Sequence, residues 1–450
     1  MADVRPVSGL RYTAQADLAA LVTPPYDVIS PEAQDRYYER HPENIIRLEL
    51  GREGATDNDL DDRYTRAAMT FAEWRLRGVL RQDPPTLYVY EQRFSVVGAD
   101  YTRASLLARV RLEPWEAGVV LPHERTLSKP KDDRLKLVRA CAANLSPIMA
   151  LYDDPRGQLD KRLARVRRRK PAVAFSDESG EEQRLWPAGD ALLNAQVASF
   201  FDSSRLYIAD GHHRYETALA YRDEVRSLRR ELMADDAANF VLMALSAVED
   251  PGLVVLPTHR LLRDLAPDRL AALDATLEAW FEREPLGDTF DAAQWIARLA
   301  QAGHAERART AVVLVRPDGA TLWRLTMAGQ AAMREGAAAS LVTADTEETA
   351  GERSAAWRAL DVVVVHALVL GQALGVNAQA VADGRHVTYT RDAAAAVTAV
   401  RTGDASLAVL LNPTPPTAIR DVALAGDRMP QKSTYFYPKL ITGLVINPLW

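Results

Sequence analysis

The alternation of apolar and polar positions changes period along the chain. Thr86-Leu-Tyr-Val-Tyr-Glu-Gln-Arg-Phe-Ser-Val-Val97 reads as a strand, Gly98-Ala-Asp100 as a turn, and Tyr101 to Leu112 as a second strand, together a hairpin. Upstream the spacing is helical. Asp61 to Val79 repeats at helical intervals, and Ser30-Pro31-Glu32-Ala33 is a helix start with Ser as N-cap and Pro at the first position. Pro147 to Tyr152, Ser204 to Ala209, Ala238 to Val248 and Leu253 to Leu256 are short apolar runs with the length of buried strands. Between them lie a charged helix, Gln158 to Lys170, and a helix from about His212 to Arg230. Further on, Pro267 to Glu282 predicts an amphipathic helix, and Thr310 to Val315 and Leu322 to Met327 predict strands around Pro317-Asp-Gly319. A weakly periodic stretch near 330–355 marks a soft boundary. It is followed by a buried helix (Asp361 to Leu374), a helix (Asp392 to Arg401) and a strand (Ser406 to Leu411). Helices and strands interleave throughout, so the fold class is mixed, α+β.

Composition narrows this picture by exclusion. The 450 residues are long enough for two or three domains with a substantial core. The lone cysteine, Cys141, allows no intrachain disulfide and no cysteine-based zinc site, and it suits a reducing cytoplasm. Fifty-five basic against 61 acidic residues give a formal charge of −6, which disfavours nucleic acid as a partner on overall electrostatics. The most apolar run, Leu360 to Leu374, carries Asp361 and His366 and is too short to span a bilayer, and the N-terminal residues lack a signal-peptide pattern. The expectation is a cytoplasmic protein without membrane contact. Arg162 to Lys170 is strongly basic but interrupted by Leu163 and Val166, the pattern of an exposed helix face.

Candidate chemistry concentrates in a few segments. In Ile208-Ala-Asp-Gly-His-His-Arg-Tyr-Glu-Thr-Ala218 an apolar strand ends at Asp210, Gly211 permits a tight turn, and a helix begins. Free N–H groups at a helix start favour phosphate, Arg214 can fork onto phosphate oxygens, and Asp210 can hold a magnesium ion or cap the helix. Successive helix positions diverge by ~100°, so His212 and His213 do not grip one metal together; one faces a ligand while the other supports it. Leu121-Pro-His-Glu124, followed by Lys129, Lys131 and Arg134, offers Glu124 as a general base or as a charged surface turn. Met429-Pro-Gln-Lys-Ser-Thr434 supplies Lys432, Ser433 and Thr434, a phosphate-compatible group without the glycines of a P-loop, or else a loop that docks its aromatic residues. Pro257-Thr-His-Arg260 and Tyr26-Asp-Val28 are polar corners beside apolar runs, and Cys141 reads as a core residue.

Taken together, Tyr26-Asp-Val-Ile-Ser30, Pro122-His-Glu124, Ala143-Asn-Leu-Ser-Pro147, Ala209 to Ala218, Pro257-Thr-His-Arg260 and Met429 to Lys439 resemble domain-of-unknown-function family 1015, in order along the chain. More distantly, Pro-His-Glu followed by Asp-Gly-His-His-Arg is similar to the free serine kinases of the ParB/sulfiredoxin superfamily. That resemblance implies a ParB/sulfiredoxin-like core with large N- and C-terminal additions. It implies phosphoryl transfer from a nucleotide, ATP or ADP, with Mg2+, to the hydroxyl of a free amino acid or hydroxy acid such as serine. Glu124 would take the hydroxyl proton, with His213 as a second catalytic residue. Asp210, Gly211, His212, His213 and Arg214 would hold phosphate, Asp210 the metal, and Lys432, Ser433 and Thr434 further phosphate contacts. A cation among Arg260, Lys439 and Lys432 would meet the acceptor's carboxylate.

The implied organisation is an N-terminal helical and loop region at 1–85, a catalytic core at 86–260 with an insertion near 150–200, and a C-terminal α/β region at 261–450 that contributes the 429–443 loop. A small-molecule substrate and a nucleotide are the expected partners, and a homo-oligomer stays open. A metal-dependent hydrolase built on Asp210, His212 or His213 and Glu124, and a non-enzymatic nucleotide-binding switch or DNA-associated adaptor, the last disfavoured by the acidic balance, are the alternatives.

Overall fold

The computed structural model describes residues 1–13, 17–58, 60–124, 128–229, 232–304, 310–335 and 353–450. Most of the soft boundary near 330–355, as well as Arg125 and Thr126, lies outside them. The chain forms two compact units: Met1–Pro122 with Thr126–Val254 and Phe436–Trp450, and His123–Arg125 with Val255–Tyr435. No helix among the described residues is long and apolar enough to cross a membrane.

The first unit is organised by a mixed nine-stranded sheet. Its strands are β1 (Val4–Arg5), β2 (Leu87–Val96), β3 (Ala99–Arg111), β4 (Val120–Leu121), β5 (Ile148–Tyr152), β6 (Val173–Ser176), β7 (Glu182–Ala188), β8 (Leu206–Asp210) and β9 (Phe240–Ala247). The order is β4-β8-β5-β9-β3-β2-β7-β6, with β1 paired to β3. The hairpin β2–β3 forms as its alternation predicts, but the turn is Val97-Gly98, one residue earlier than expected. Both residues have positive φ, 49° and 76°, which matches the twist of a two-residue hairpin loop. The sequence pattern gave no sign of the β6–β7 hairpin, which pairs onto β2 and extends the same sheet.

Helices cover one face of this sheet. These are α1 (Gln158–Arg167), α2 (Ala191–Phe201) and α3 (His212–Arg229). Leu159, Leu163 and Val166 of α1, Val197 and Phe201 of α2, and Tyr215 and Ala218 of α3 pack against Leu87, Val89, Leu106, Ala108, Ile148 and Ile208. Those positions recur at helical spacing on one side and alternate along the strands on the other, which is why the layers fit. The C-terminal segment completes this unit: Ile446 exchanges main-chain hydrogen bonds with Leu10, Thr442 with Thr23, and Asn447 pairs with Asn144.

The second unit holds an antiparallel six-stranded sheet of β10 (His259–Leu262), β11 (Phe281–Gly287), β12 (Ala311–Arg316), β13 (Gly319–Leu325), β14 (Val387–Thr390) and β15 (Leu407–Leu411). The order is β11-β13-β12-β15-β10-β14. Trp295 and Leu299 of α5 (Ala292–His304) and Val397 and Val400 of α6 (Ala393–Arg401) pack on Val313, Val315, Leu322 and Leu410. One expected helix is cut short. The predicted span to Glu282 ends at Leu277 in α4 (Pro267–Leu277), and Phe281 already begins β11. Pairing with β13, and Glu284 salt-bridged to Arg298 and Arg324, outweigh the local helical preference. The buried helix expected over Asp361 to Leu374 is present, widened into a π-helical stretch from Val365 to Ala373.

Candidate active site

Strand β8 ends in a bulge. Ile208 lies opposite Ala150 and Asp210 opposite Met149, so Ala209 is the extra residue and Asp210 is re-aimed at the strand's end. Gly211 follows at φ +96°, and α3 begins at once. A Cβ on Gly211 would stand 2.9 Å from Nε and Nη2 of Arg214, so glycine is required both for the backbone angle and for the guanidinium folded over it.

Two cations flank the Asp210 carboxylate. Lys439 Nζ lies 3.4 Å from Oδ1, and Arg214 Nη2 lies 3.3 Å from Oδ2. Burial alone would raise the acid's pKa, but Lys439, Arg214 and His212 together hold it below the ordinary carboxylate range. The group therefore carries one negative and two positive charges at the amino end of an 18-residue helix, an excess of positive charge suited to an anion. Arg214 is already anchored: Nη1 donates to the Pro147 carbonyl at 2.5 Å and to Ser146 Oγ at 3.2 Å. The pKa of His213 is lowered, chiefly by burial. His212 is buried.

Behind Arg214 stands a polar network whose members the sequence offers only as separate residues, with Glu49 unmarked. Ser146 Oγ donates to Glu49 Oε1 at 3.3 Å. Arg134 reaches the Glu49 carbonyl at 2.9 Å and its carboxylate at 3.4 Å, pairs with Asp133, and lies 4.1 Å from the Tyr26 ring centroid. Lys131 is paired with Glu216 at 2.9 Å. The polar corner at Tyr26, the Ala143 to Pro147 block and the Asp-Gly-His-His-Arg turn thus converge in the first unit.

Lys439 is delivered by a second device. Gln92 and Arg103 face each other across the β2–β3 hairpin, both fully buried. Arg103 donates to the Pro438 carbonyl at 2.6 Å, to the Tyr437 carbonyl at 3.3 Å and to Gln92 Oε1. Gln92 Nε2 donates to the Lys439 carbonyl at 3.1 Å. Three consecutive carbonyls are thereby fixed next to the residue that meets Asp210. The hairpin itself was legible in the sequence, but a turn at Gly98-Ala-Asp100 would set 92 opposite 106; the observed Val97-Gly98 turn brings Arg103 across from Gln92.

Glu181 sits beside this segment. Burial pushes its carboxyl up to about 7, against the hydrogen bond from Tyr437 and the pull of Arg103, while Asp177 adds to the rise. A folded-state value above the ordinary ~4.3 stabilises the fold fully at low pH, and that contribution is lost as pH rises from there through about 7. The melting temperature is expected to fall between pH 5 and 8 and to fall less in Glu181→Gln; parallel profiles in thermal melts would contradict this.

The second unit places the other expected residues. Glu124 Oε1 accepts the Lys432 N–H at 3.2 Å, and Met429 N–H donates to the His123 carbonyl at 2.7 Å. His123 Nε2 and Thr434 Oγ1 are 3.2 Å apart, and the Ser433 hydroxyl donates to the Pro430 carbonyl. Ser433 and Thr434 therefore stabilise the turn itself. The Lys432 side chain is exposed, on a backbone at φ +59°. Arg260 is fully buried and donates to the carbonyls of Thr258 and, at 3.4 Å, Lys432. Among the described residues no group of three or more His, Cys, Asp or Glu side chains gathers as a metal cage.

The profile of the family described as "Protein of unknown function (DUF1015)" matches residues 4–363. The chain belongs to this family. The match ends before Met429, although the segment from Phe436 onward completes the first unit. No curated protein matches the sequence at a significant level. Among solved structures, a conserved hypothetical protein from Pyrococcus furiosus overlaps at a TM-score of 0.32 and 10% identity, over 75% of this chain and 92% of that one. A free serine kinase in complex with AMP overlaps at 0.32 and 10%, over 74% and 86%. SbnI with a C-terminal truncation, from Staphylococcus aureus, overlaps at 0.32 and 10%, over 76% and 87%.

Proposed function

We propose that this chain is a small-molecule kinase that moves a phosphoryl group from ATP or ADP to the hydroxyl of a free amino acid or hydroxy acid such as serine. The observation that carries the reading is the Asp210, Arg214 and Lys439 constellation at the start of α3, a net-cationic group on a glycine turn. Phosphoryl transfer asks little covalent chemistry of a protein; it needs positioning and charge stabilisation. Arg214, Lys439 and the positive dipole end of α3 supply both, and His213 in the first turn of that helix is the second residue assigned to the reaction. The ParB/sulfiredoxin relation and the resemblance of the Asp-Gly-His-His-Arg turn to free serine kinases belong to the same proposal.

In the transfer, the bond between the terminal phosphorus and the nucleotide's bridging oxygen breaks as the acceptor oxygen bonds to phosphorus. On the resemblance of Pro122-His-Glu124 to the motif of the free serine kinases, Glu124 would take the hydroxyl proton. Lys432, whose side chain is exposed, is the cation offered to the acceptor's carboxylate; of the others expected in that role, Arg260 is fully buried on main-chain carbonyls and Lys439 faces Asp210. Asp210 is the one carboxylate of this group and both of its oxygens face cations, so as arranged it does not fit a magnesium ion, and no step is routed through one.

The first test is calorimetric titration with ATP, ADP and AMP, then nucleotide consumption against a panel of free amino acids and hydroxy acids. Arg214→Ala is expected to weaken nucleotide binding by roughly 10- to 100-fold, as for loss of a charge-assisted phosphate contact of about 1.5–3 kcal/mol. Absence of nucleotide binding by the unaltered protein at millimolar concentration would overturn the reading. Lys439→Met should weaken binding about 10-fold, and Arg103→Met should weaken it comparably because Lys439 loses its anchor. The double variant should then be little worse than either single one. Fully additive losses would mean that Arg103 acts on the fold and not through Lys439.

A further inference from the structure

The chain is acidic overall, yet the segment from Lys161 to Lys170 is strongly basic. Between Lys161 and Lys170, at the exposed end of α1 and just beyond it, stand seven cations. Arg167 is neutralised by Asp160 at 2.9 Å and Glu91 at 3.3 Å. The other six, Lys161, Arg162, Arg165, Arg168, Arg169 and Lys170, have no carboxylate partner among the described residues, and only Arg162 is even half-buried.

A solvated helix face does not account for this. Cations in a last helical turn gain from the helix dipole, but that explains one or two of them. Here Lys161 and Arg165, Arg162 and Arg165, and Arg165 and the C-cap Arg168 are like charges three or four positions apart, each repelling by roughly 0.2–0.5 kcal/mol. Interspersed glutamates would remove the cost, and Asp160 is the one acid in α1. The opposite face, Leu159, Leu163 and Val166, is locked into the core, so the cations project from a fixed platform. From Lys161 to Arg168 the helix rises about 10 Å, the span of roughly three successive phosphates at 3.4 Å each along a strand. Four of the six are arginines, whose planar fork suits phosphate oxygens. No large apolar residue from 155 to 170 is exposed, so nothing there would insert among lipid chains.

We propose that this face binds the phosphate backbone of nucleic acid, independently of base sequence and of the phosphate group at Asp210. The probe is a fluorescein-labelled 20-base-pair duplex of arbitrary sequence, titrated with the full-length protein by anisotropy between 50 and 200 mM NaCl. Three to five phosphates neutralised give an expected slope of log K against log salt of about −3 to −4.5. Charge reversal at Arg165, Arg168 and Arg169 together should weaken binding at 50 mM NaCl by at least tenfold with unchanged melting temperature, since all three side chains are exposed. Arg401→Glu, an exposed charge reversal in the second unit, and Arg214→Ala should leave binding within twofold, which separates this proposal from the kinase reading. A slope shallower than about −1, equal binding by the triple variant, or retention on vesicles with 30 mol% phosphatidylserine without duplex binding would each overturn it.

Discussion

Exchanging Glu124 for glutamine is expected to lower the turnover number at least 100-fold while leaving nucleotide affinity within about twofold. General-base assistance to a hydroxyl contributes on the order of 10²–10⁴ in rate, and an amide cannot accept the proton. The exchange is otherwise conservative. The carboxylate accepts the Lys432 N–H at 3.2 Å, and the glutamine carbonyl oxygen can accept the same bond. The main-chain link from Met429 to His123 and the contact of His123 with Thr434 do not involve the Glu124 side chain. The turn should persist and the variant should melt within a degree or two of the parent. The measurements are turnover with the acceptor found in the panel, nucleotide affinity by calorimetry, and a thermal melt. Full transfer activity in Glu124→Gln would show that the residue only holds the Lys432 turn.

Particular residues show how far the sequence could carry this reading. The β2–β3 hairpin, the short buried strand Ile148–Tyr152 and the strand-to-helix junction at Asp210 were legible because each is written locally. An alternation, an apolar run or a glycine beside a polar cluster needs no distant partner to be recognised. Glu49, Ser146 and Arg134 were not legible as a unit, because Glu49 lies 85 residues from Arg134 and 97 from Ser146 and each alone is an ordinary polar residue. Gln92 and Arg103 occupy an intermediate position. The hairpin is local, but their targets, the carbonyls of residues 437–439, lie more than 330 positions onward. Strand β11 was hidden for another reason. Its edge position leaves Glu282, Arg283, Pro285 and Gly287 exposed, so Phe281–Gly287 lacks the apolar run that marks a central strand, and only pairing with β13 defines it.

The buried network behind Arg214 makes the largest demand on stability. Arg134→Met is expected to destabilise the protein by about 3–5 kcal/mol at pH 8, the usual cost of stranding one partner of a buried ion pair. Glu49 is 3% exposed and Arg134 5%, so neither can turn to solvent without moving main chain. Methionine restores much of the arginine's volume but none of its donors. Glu49 would keep the Ser146 hydroxyl at 3.3 Å, too little for a carboxylate in that setting. Burial already pushes the Glu49 carboxyl up, with Arg134 and Arg214 opposing the rise. Removing Arg134 raises it further, so the folded variant protonates Glu49 more readily than the unfolded chain does. The deficit should therefore shrink as pH is lowered toward 5, and Glu49→Gln in the same chain should recover part of it at pH 8. Urea melts of the parent, both single variants and the double variant at the two pH values measure each term. Ser146 is shared between Glu49 and Arg214, so the Arg134 variant should also lose nucleotide affinity while still folded. A pH-independent deficit, with no recovery in the double variant, would mean that packing at Arg134, against Tyr26 and Asp133, outweighs its charge.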